Sequence, residues 1–321
     1  MTDIAMTEAA GERHYDVVIV GGGPAGLSAG VYAARAGLSA VVLEQSTPGG
    51  QIAITDEVDN YPGLPGLSGA ELGMKLSEHA EQAGATLEYD VVSSIARSDD
   101  GSFVITAGGS SYRAGSVIYA AGATPRLAGF EGEEKFRGRG VSYCATCDGM
   151  FYRGKDVYVV GGGTAACEEA LFLARIARSV TMLVRKDVLR TTPALTRRIL
   201  AADSGVTVRF TTRVAEVSGE QMLGSITLED TRSGEREVIS HDEPFGVFVF
   251  VGHDPATALV DGLVETNANG IVTDARMSTR TPGLFAAGDV RDTVLRQAVT
   301  AAADGAVAAT SALTYLQARE A

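Results

Sequence analysis

The chain has 321 residues, enough for two domains with substantial cores, and its 45 % hydrophobic residues, 21 % charged residues and 39 glycines describe a globular, loop-punctuated protein. Against 27 basic residues stand 40 acidic ones, a net charge of -13 without a basic stripe, which excludes nucleic acid and anionic membrane surfaces as natural partners. Three cysteines, Cys144, Cys147 and Cys167, are too few for a disulfide framework, and a reducing, cytoplasmic location is the expectation.

The opening MTDIAMTEAAGER lacks the basic start and apolar run of a secretory signal and reads as a short mobile lead-in. From Tyr15 the segment YDVVIVGGGPAGLSAGVYAARAGLSAVVLE predicts a buried strand, a glycine turn, a small-residue helix and a second buried strand. Glycines, Pro24 and Arg35 interrupt it, so it is not a membrane span. Gly21, Gly23 and Gly26 form G-x-G-x-x-G, with Pro24 and Ala25 inside the motif. Such a turn lets a pyrophosphate approach the backbone and rest on the helix N-terminus. Glu44 closes the second strand, where a carboxylate accepts hydrogen bonds from ribose hydroxyls. Short strands are expected between Thr86 and Ile105, with a turn at Asp100-Gly101.

Next comes SYCATCDGMFY, two cysteines two residues apart followed by Asp148. The spacing alone admits half a metal site, a staple or a redox switch. The first motif then reappears: KDVYVVGGGTAACEEALFLARIARSVTMLVR begins at Lys155, an offset of 140 from Tyr15. Gly161, Gly163 and Ala166 give the variant ending in alanine. The position matching Glu44 is Val184, and Arg185, Lys186 and Arg190 follow, so the ribose-binding acid is replaced by cations suited to a 2′-phosphate. Cys167, with Leu171 and Ala174 at helical spacing, is expected to be a small buried hydrophobe. Strands between Val206 and Ile239, a turn at Ser233-Gly234 and a packing or hinge role for His253 are expected after it. Finally TPGLFAAGDV predicts a buried strand ending at Gly288-Asp289, and RQAVTAAADGAVAATSALTYL a helix, elements that return to complete the first domain.

GGGPAG, TPGGQ, DNYPG, CATCDG, GGG followed by EEA, and AAGDV followed by RQA stand in the order and spacing of the low-molecular-weight bacterial thioredoxin reductases, which the chain resembles from Tyr15 to about Leu316. The resemblance implies an α/β fold of two Rossmann-like dinucleotide-binding domains with three-layer sheets. A discontinuous FAD domain, residues 1–124 and 254–321, would hold an inserted NADPH domain, residues 125–253. It implies that Gly21 to Gly26 bind the FAD pyrophosphate and Glu44, with Gln45, the ribose. Gly50, Gln51, Asn60, Ala121 and Gly122 would lie near the flavin. Gly288 and Asp289 would meet the ribityl chain or phosphate, and Arg296, Gln297 and Ala298 the pyrimidine edge. NADPH would take Gly161, Gly163, Thr164, Ala166, Arg185, Lys186 and Arg190.

By the same resemblance electrons would pass from NADPH to FAD, to a Cys144–Cys147 disulfide, and on to thioredoxin or a thioredoxin-like or glutaredoxin-like protein, in a homodimer. Cys147 would be the flavin-proximal thiol, Cys144 the interchange thiol, and Asp148 the proton carrier. No metal is expected, because one C-x-x-C with a distant cysteine and four scattered histidines offers no second ligand pair. Arg126, Arg137, Arg139 and Arg153 could admit an acidic partner face. Ala165, Val184 and Lys186 depart from the family's nucleotide-binding pattern. They leave open NADH, reduced ferredoxin or another flavoprotein as donor, a flavin-dependent dithiol oxidase running in reverse, and a redox-sensing flavoprotein without turnover.

Overall fold

The computed structural model describes residues 12–55 and 57–320, so most of the expected lead-in lies outside the described residues. Arg13, counted in that lead-in, already begins the first strand. The chain forms two compact units, one running to Thr124 and resuming at Asp254, the other spanning Pro125–His253.

The first unit opens with β1 (Arg13–Val20), α1 (Pro24–Arg35) and β2 (Ala40–Glu44), followed by α2 (Gly69–Ala83) and β3 (Thr86–Tyr89). Next come β4 (Val92–Arg97), β5 (Phe103–Ala107) and β6 (Ser110–Tyr119). Strands β3, β2, β1 and β6 lie parallel, and β4, β5 and β6 continue as an antiparallel meander. Val17 to Val20 are all buried because both faces of the parallel strands are covered. Val17 and Ile19 face one apolar layer; Val18 and Val20 face the other, toward Phe103, Ile105 and Tyr112. The second helix starts on a full capping box, with Ser68 Oγ accepting from Glu71 N and the Glu71 carboxylate accepting from Ser68 N. After β6 the chain crosses through β7 (Ala123–Pro125).

The second unit repeats the plan: β8 (Val141–Ser142), α3 (Ala145–Asp148), β9 (Asp156–Val160), α4 (Thr164–Leu173), β10 (Ser179–Val184), α5 (Pro193–Ile199) and β11 (Val206–Phe210). A hairpin-linked sheet of β12 (Thr212–Ser218), β13 (Ser225–Asp230) and β14 (Arg236–Ser240) precedes β15 (Gly246–Val249). The parallel sheet runs β11-β10-β9-β15-β8. Val157, Val159 and Met182 pack on α4, and Tyr158, Val160 and Leu183 pack on the antiparallel sheet, so this unit too has three layers. The buried stripe of α4 is Ala166, Cys167, Ala170 and Leu173, whereas Leu171 and Ala174 are only half-buried. Cys167 is fully buried as expected, and Leu171 and Ala174 pack against the same core from the edge of that face, the helix ending at Leu173.

His253 opens β16 (His253–Pro255), after which β17 (Thr266–Asn267), β18 (Gly270–Ile271), β19 (Leu284–Ala286) and α6 (Ala298–Glu320) belong to the first unit. Strand β19 lies parallel to β6, and α6 packs along α1 so closely that a Cβ on Gly305 would stand 2.0 Å from Ala25 O. The C-terminal helix begins two residues later than the sequence pattern suggests, leaving Arg296 and Gln297 as the segment leading into it.

Candidate functional site

In the first unit the chain bends sharply after β1. Gly21 has φ 106°, and a Cβ there would lie 2.4 Å from Ala120 O. A Cβ on Gly26 would lie 1.8 Å from Gly21 O, so only glycine fits where α1 crosses the turn. Gly23 caps α1 with no side-chain hydrogen bond, and Pro24 fills the first turn, which leaves the helix N-terminus to a ligand anion. Glu44, 6 % exposed, accepts from Gly22 N at 2.6 Å through Oε2 and from Ser46 N at 2.9 Å through Oε1. The loop after β2 closes back on the turn through Gly49 N to Gly22 O, 2.8 Å, which sets Gly50 beside Gly23, while Gln45 and Gln51 stay exposed.

Residues far apart in the chain converge here. Asn60 Nδ2 donates to Gln297 Oε1 at 3.0 Å, across 237 positions. Ala256 N donates to Gly122 O at 3.0 Å, fixing the loop that carries Ala121. Gly288, φ 75°, packs so that a Cβ would sit 2.9 Å from Ala25 Cβ, bringing Asp289 to the N-terminal end of α1. Burial pushes the Asp289 carboxyl up to about 6; Arg296 opposes that rise and Asp304 adds to it.

Asp304 was not singled out from sequence. On α6, it accepts from Gly288 N at 3.1 Å and from Arg291 Nη1 at 2.9 Å, while Arg291 Nε donates to Thr273 Oγ1 at 3.0 Å. An Asp seven residues after Gln297 in a helix carries no local signal of that role. Arg296 Nη2 donates to Asn269 O at 2.7 Å, but its Nε is buried with no protein partner. A buried carboxyl near neutrality, a buried guanidinium nitrogen awaiting an acceptor and an uncapped glycine-lined helix end form a donor and acceptor set that fits FAD.

In the second unit Gly161 has φ 148° and a Cβ there would meet Phe250 O at 2.4 Å, but the space at Gly163 is open. Ala166 is fully buried in the turn, and Gly163 again caps its helix without a side chain. Arg190 N donates to Gly162 O at 2.7 Å, so the loop after β10 closes on the second turn as Gly49 closes on the first. Arg185, Lys186 and Arg190 are exposed. Their loop is held from behind by Thr231 Oγ1 to Arg185 O, 3.0 Å, and Thr211 N to Lys186 O, 3.1 Å. Thr164 pairs with Thr191 through their hydroxyls at 2.9 Å, Thr191 being a residue the motif does not include. This basic rim fits a pyridine nucleotide on the glycine turn.

Cys144 and Cys147 are joined as a disulfide with their Cα atoms 5.3 Å apart. Cys144 is the N-cap of α3, and Cys147 N donates to its Sγ at 3.2 Å. Asp148 Oδ2 accepts from Ser142 Oγ at 2.6 Å, and Tyr143 OH donates to the buried Glu133 at 2.8 Å. Neither Ser142 nor Glu133 was identified from sequence, although Ser142 lies only two residues before the motif. Cys167 belongs to the α4 core, which also takes in Ala145, and burial there pushes its thiol up.

The pyridine nucleotide-disulphide oxidoreductase family pattern matches residues 15–305. The chain is 44 % identical over 306 residues to a thioredoxin reductase of Treponema pallidum, covering 95 % of this chain and 98 % of that protein. The chain belongs to this family, among its thioredoxin reductases. A Bacillus subtilis thioredoxin reductase is 42 % identical over 308 residues, 95 % of this chain and 96 % of its own. The crystal structure of a thioredoxin reductase from Streptococcus pyogenes superposes with a TM-score of 0.88 at 40 % identity, over 96 % of this chain and all of that one. Family membership carries with it an oxidoreductase chemistry that uses FAD and a pyridine nucleotide. No described helix is long and apolar enough to cross a membrane.

Proposed function

We propose that this protein is a thioredoxin-disulfide reductase that draws electrons from NADPH and delivers them through Cys144 and Cys147 to thioredoxin, or to a thioredoxin-like or glutaredoxin-like protein. The observation that carries the reading is the Cys144–Cys147 disulfide at the head of α3, with Asp148 bound into the same loop through Ser142. Bound FAD would supply two-electron exchange with both a nicotinamide and a disulfide. Gly21 to Gly26 and Glu44 would hold its pyrophosphate and ribose, Asp289 its ribityl region, and Arg296, Gln297 and Ala298 its ring edge. Arg185, Lys186 and Arg190 would recognise the 2′-phosphate of NADPH, since exposed cations replace the acid that NADH would need at Val184.

Cys147 would receive electrons from within the protein and Cys144 would attack the partner disulfide, its sulfur being stabilised by Cys147 N. Asp148 would give a proton to a departing sulfur and recover it on reoxidation. A homodimer is supported by the apolar surface that the first unit leaves exposed at Tyr32, Val294, Leu295 and Val299. Anaerobic titration with NADPH and, separately, NADH tests the donor. Bleaching of the flavin band at much lower NADPH than NADH, followed by stoichiometric reduction of thioredoxin, is the expected result. Failure of both nucleotides to bleach a flavin-loaded protein would sink the NADPH assignment and direct the search to ferredoxin or dithiols.

A further inference from the structure

Ser142 lies on β8, whose backbone pairs with β15 at Phe248, and the residue is 5 % exposed. Its hydroxyl makes three contacts within the redox loop. Oγ donates to Asp148 Oδ2 at 2.6 Å, accepts from Cys144 N at 3.1 Å, and has a second acceptor, Cys144 O, at 3.3 Å. We propose that Ser142 is a positioning residue that holds Asp148 against the cysteine pair and adapts to both of its protonation states. The inference rests on the proton-carrying role given to Asp148 above.

A serine hydroxyl has one proton and two lone pairs. When Asp148 is ionised, that proton points to the carboxylate. When Asp148 is protonated, the carboxyl can donate to Oγ while the hydroxyl proton turns to Cys144 O. In neither state is a donor left without an acceptor, which in a partly buried loop avoids the desolvation cost of an orphaned group. An apolar residue at this position would satisfy neither state, and a carboxylate would repel Asp148.

The chemistry served is the opening of the disulfide. Two electrons from a reductant break the Sγ–Sγ bond and leave two sulfur anions, and two protons convert them to thiols. Asp148 supplies one proton and becomes the carboxylate, and solvent supplies the other; on reoxidation both electrons pass to the substrate disulfide, one thiol proton returns to Asp148 and the other to solvent, from which the two substrate sulfurs are protonated. The hydroxyl's hydrogen bond to the ionised carboxylate favours that form, so its removal makes Asp148 a weaker acid.

The test uses dithiothreitol as reductant, whose two thiols are oxidised to a cyclic disulfide, giving both electrons to the Cys144–Cys147 bond and releasing to solvent two protons that balance those taken from Asp148 and solvent. The full-length protein is quenched by alkylation and the state of Cys144 and Cys147 is read by mass spectrometry. The rate constant per dithiothreitol thiolate should fall as pH rises through the Asp148 transition. In Ser142→Ala that break should move up by about one pH unit, a tenfold change in acid dissociation, and Ser142→Thr, which keeps a hydroxyl, should move back toward the parent. In Asp148→Asn the break should vanish, and adding Ser142→Ala should then change nothing. A Ser142→Ala profile that overlays the parent, or an equal effect of Ser142→Ala in the Asp148→Asn background, overturns the assignment. Because no thioredoxin is present, a parent protein that fails to reduce thioredoxin defeats the functional reading without touching this result.

Discussion

The two glycine turns descend from nearly the same string of residues yet tolerate different things. At the first, Gly26 has no room for a Cβ, and the ribose-side acid Glu44 is buried and doubly bonded to backbone N–H groups. At the second, the equivalent residue is already Ala166, and in place of the buried acid stand exposed cations on a loop. The first turn is closed by tight backbone packing and a buried carboxylate, whereas the second presents solvent-exposed charge. That division would suit the proposed resident flavin and exchanging nucleotide, because tight retention needs desolvated, prearranged partners, whereas turnover needs accessible charge.

The greatest contrast should come from alanine at the first turn. Gly26→Ala forces a methyl against Gly21 O and should cost about 3 kcal/mol or more, with loss of bound flavin, whereas Ala166→Gly should cost only about 1 kcal/mol. Urea unfolding and the flavin-to-protein absorbance ratio read both; equal effects at the two positions would refute the difference in packing. A second difference is in acid titration. Asp289 in the flavin-free protein holds its proton more tightly folded than unfolded. The stability this contributes is therefore complete below pH about 4 and lost as pH rises through about 6. Up to about 3 kcal/mol is at stake, and Asp289→Asn should flatten the unfolding midpoint across that window.

Exchange of the two strand-end residues acts next. Glu44→Val, copying Val184, strips Gly22 N of its acceptor and should destabilise the first unit by about 2 kcal/mol, with flavin released on dilution. The smallest effect belongs to the exposed cations. Arg190→Ala should raise the KM for NADPH about tenfold, roughly 1.4 kcal/mol, and leave the KM for NADH unchanged. The proposed preference for NADPH should also decline with added salt, as screened surface charges do. A preference that survives both changes would place 2′-phosphate recognition elsewhere.

Much of the layout was legible because it is local. A buried strand, a glycine turn and a small-residue helix each follow from neighbouring residues, and the repeat at an offset of 140 doubled the signal. The α4 face was legible for the same reason: Cys167 is buried with Ala170 in the core that holds Val157, Val159 and Met182, and Leu171 and Ala174 pack against that core less deeply. Asp304, Arg291 and Thr273 were invisible, since their hydrogen bonds link a helix, a loop and a strand end separated by 13 to 18 positions.

By itself the sequence determined the number of dinucleotide turns, the loss of the acid at the second, and the spacing that lets Cys144 and Cys147 meet, all consequences of backbone geometry over a few residues. Only the tertiary structure decided which carboxyl is buried enough to sit near neutrality, that Asn60 meets Gln297 across 237 positions, and that the Ser142 hydroxyl donates to Asp148. Burial and hydrogen-bond partnership are set by chain segments that come together in space, and no local pattern encodes that meeting.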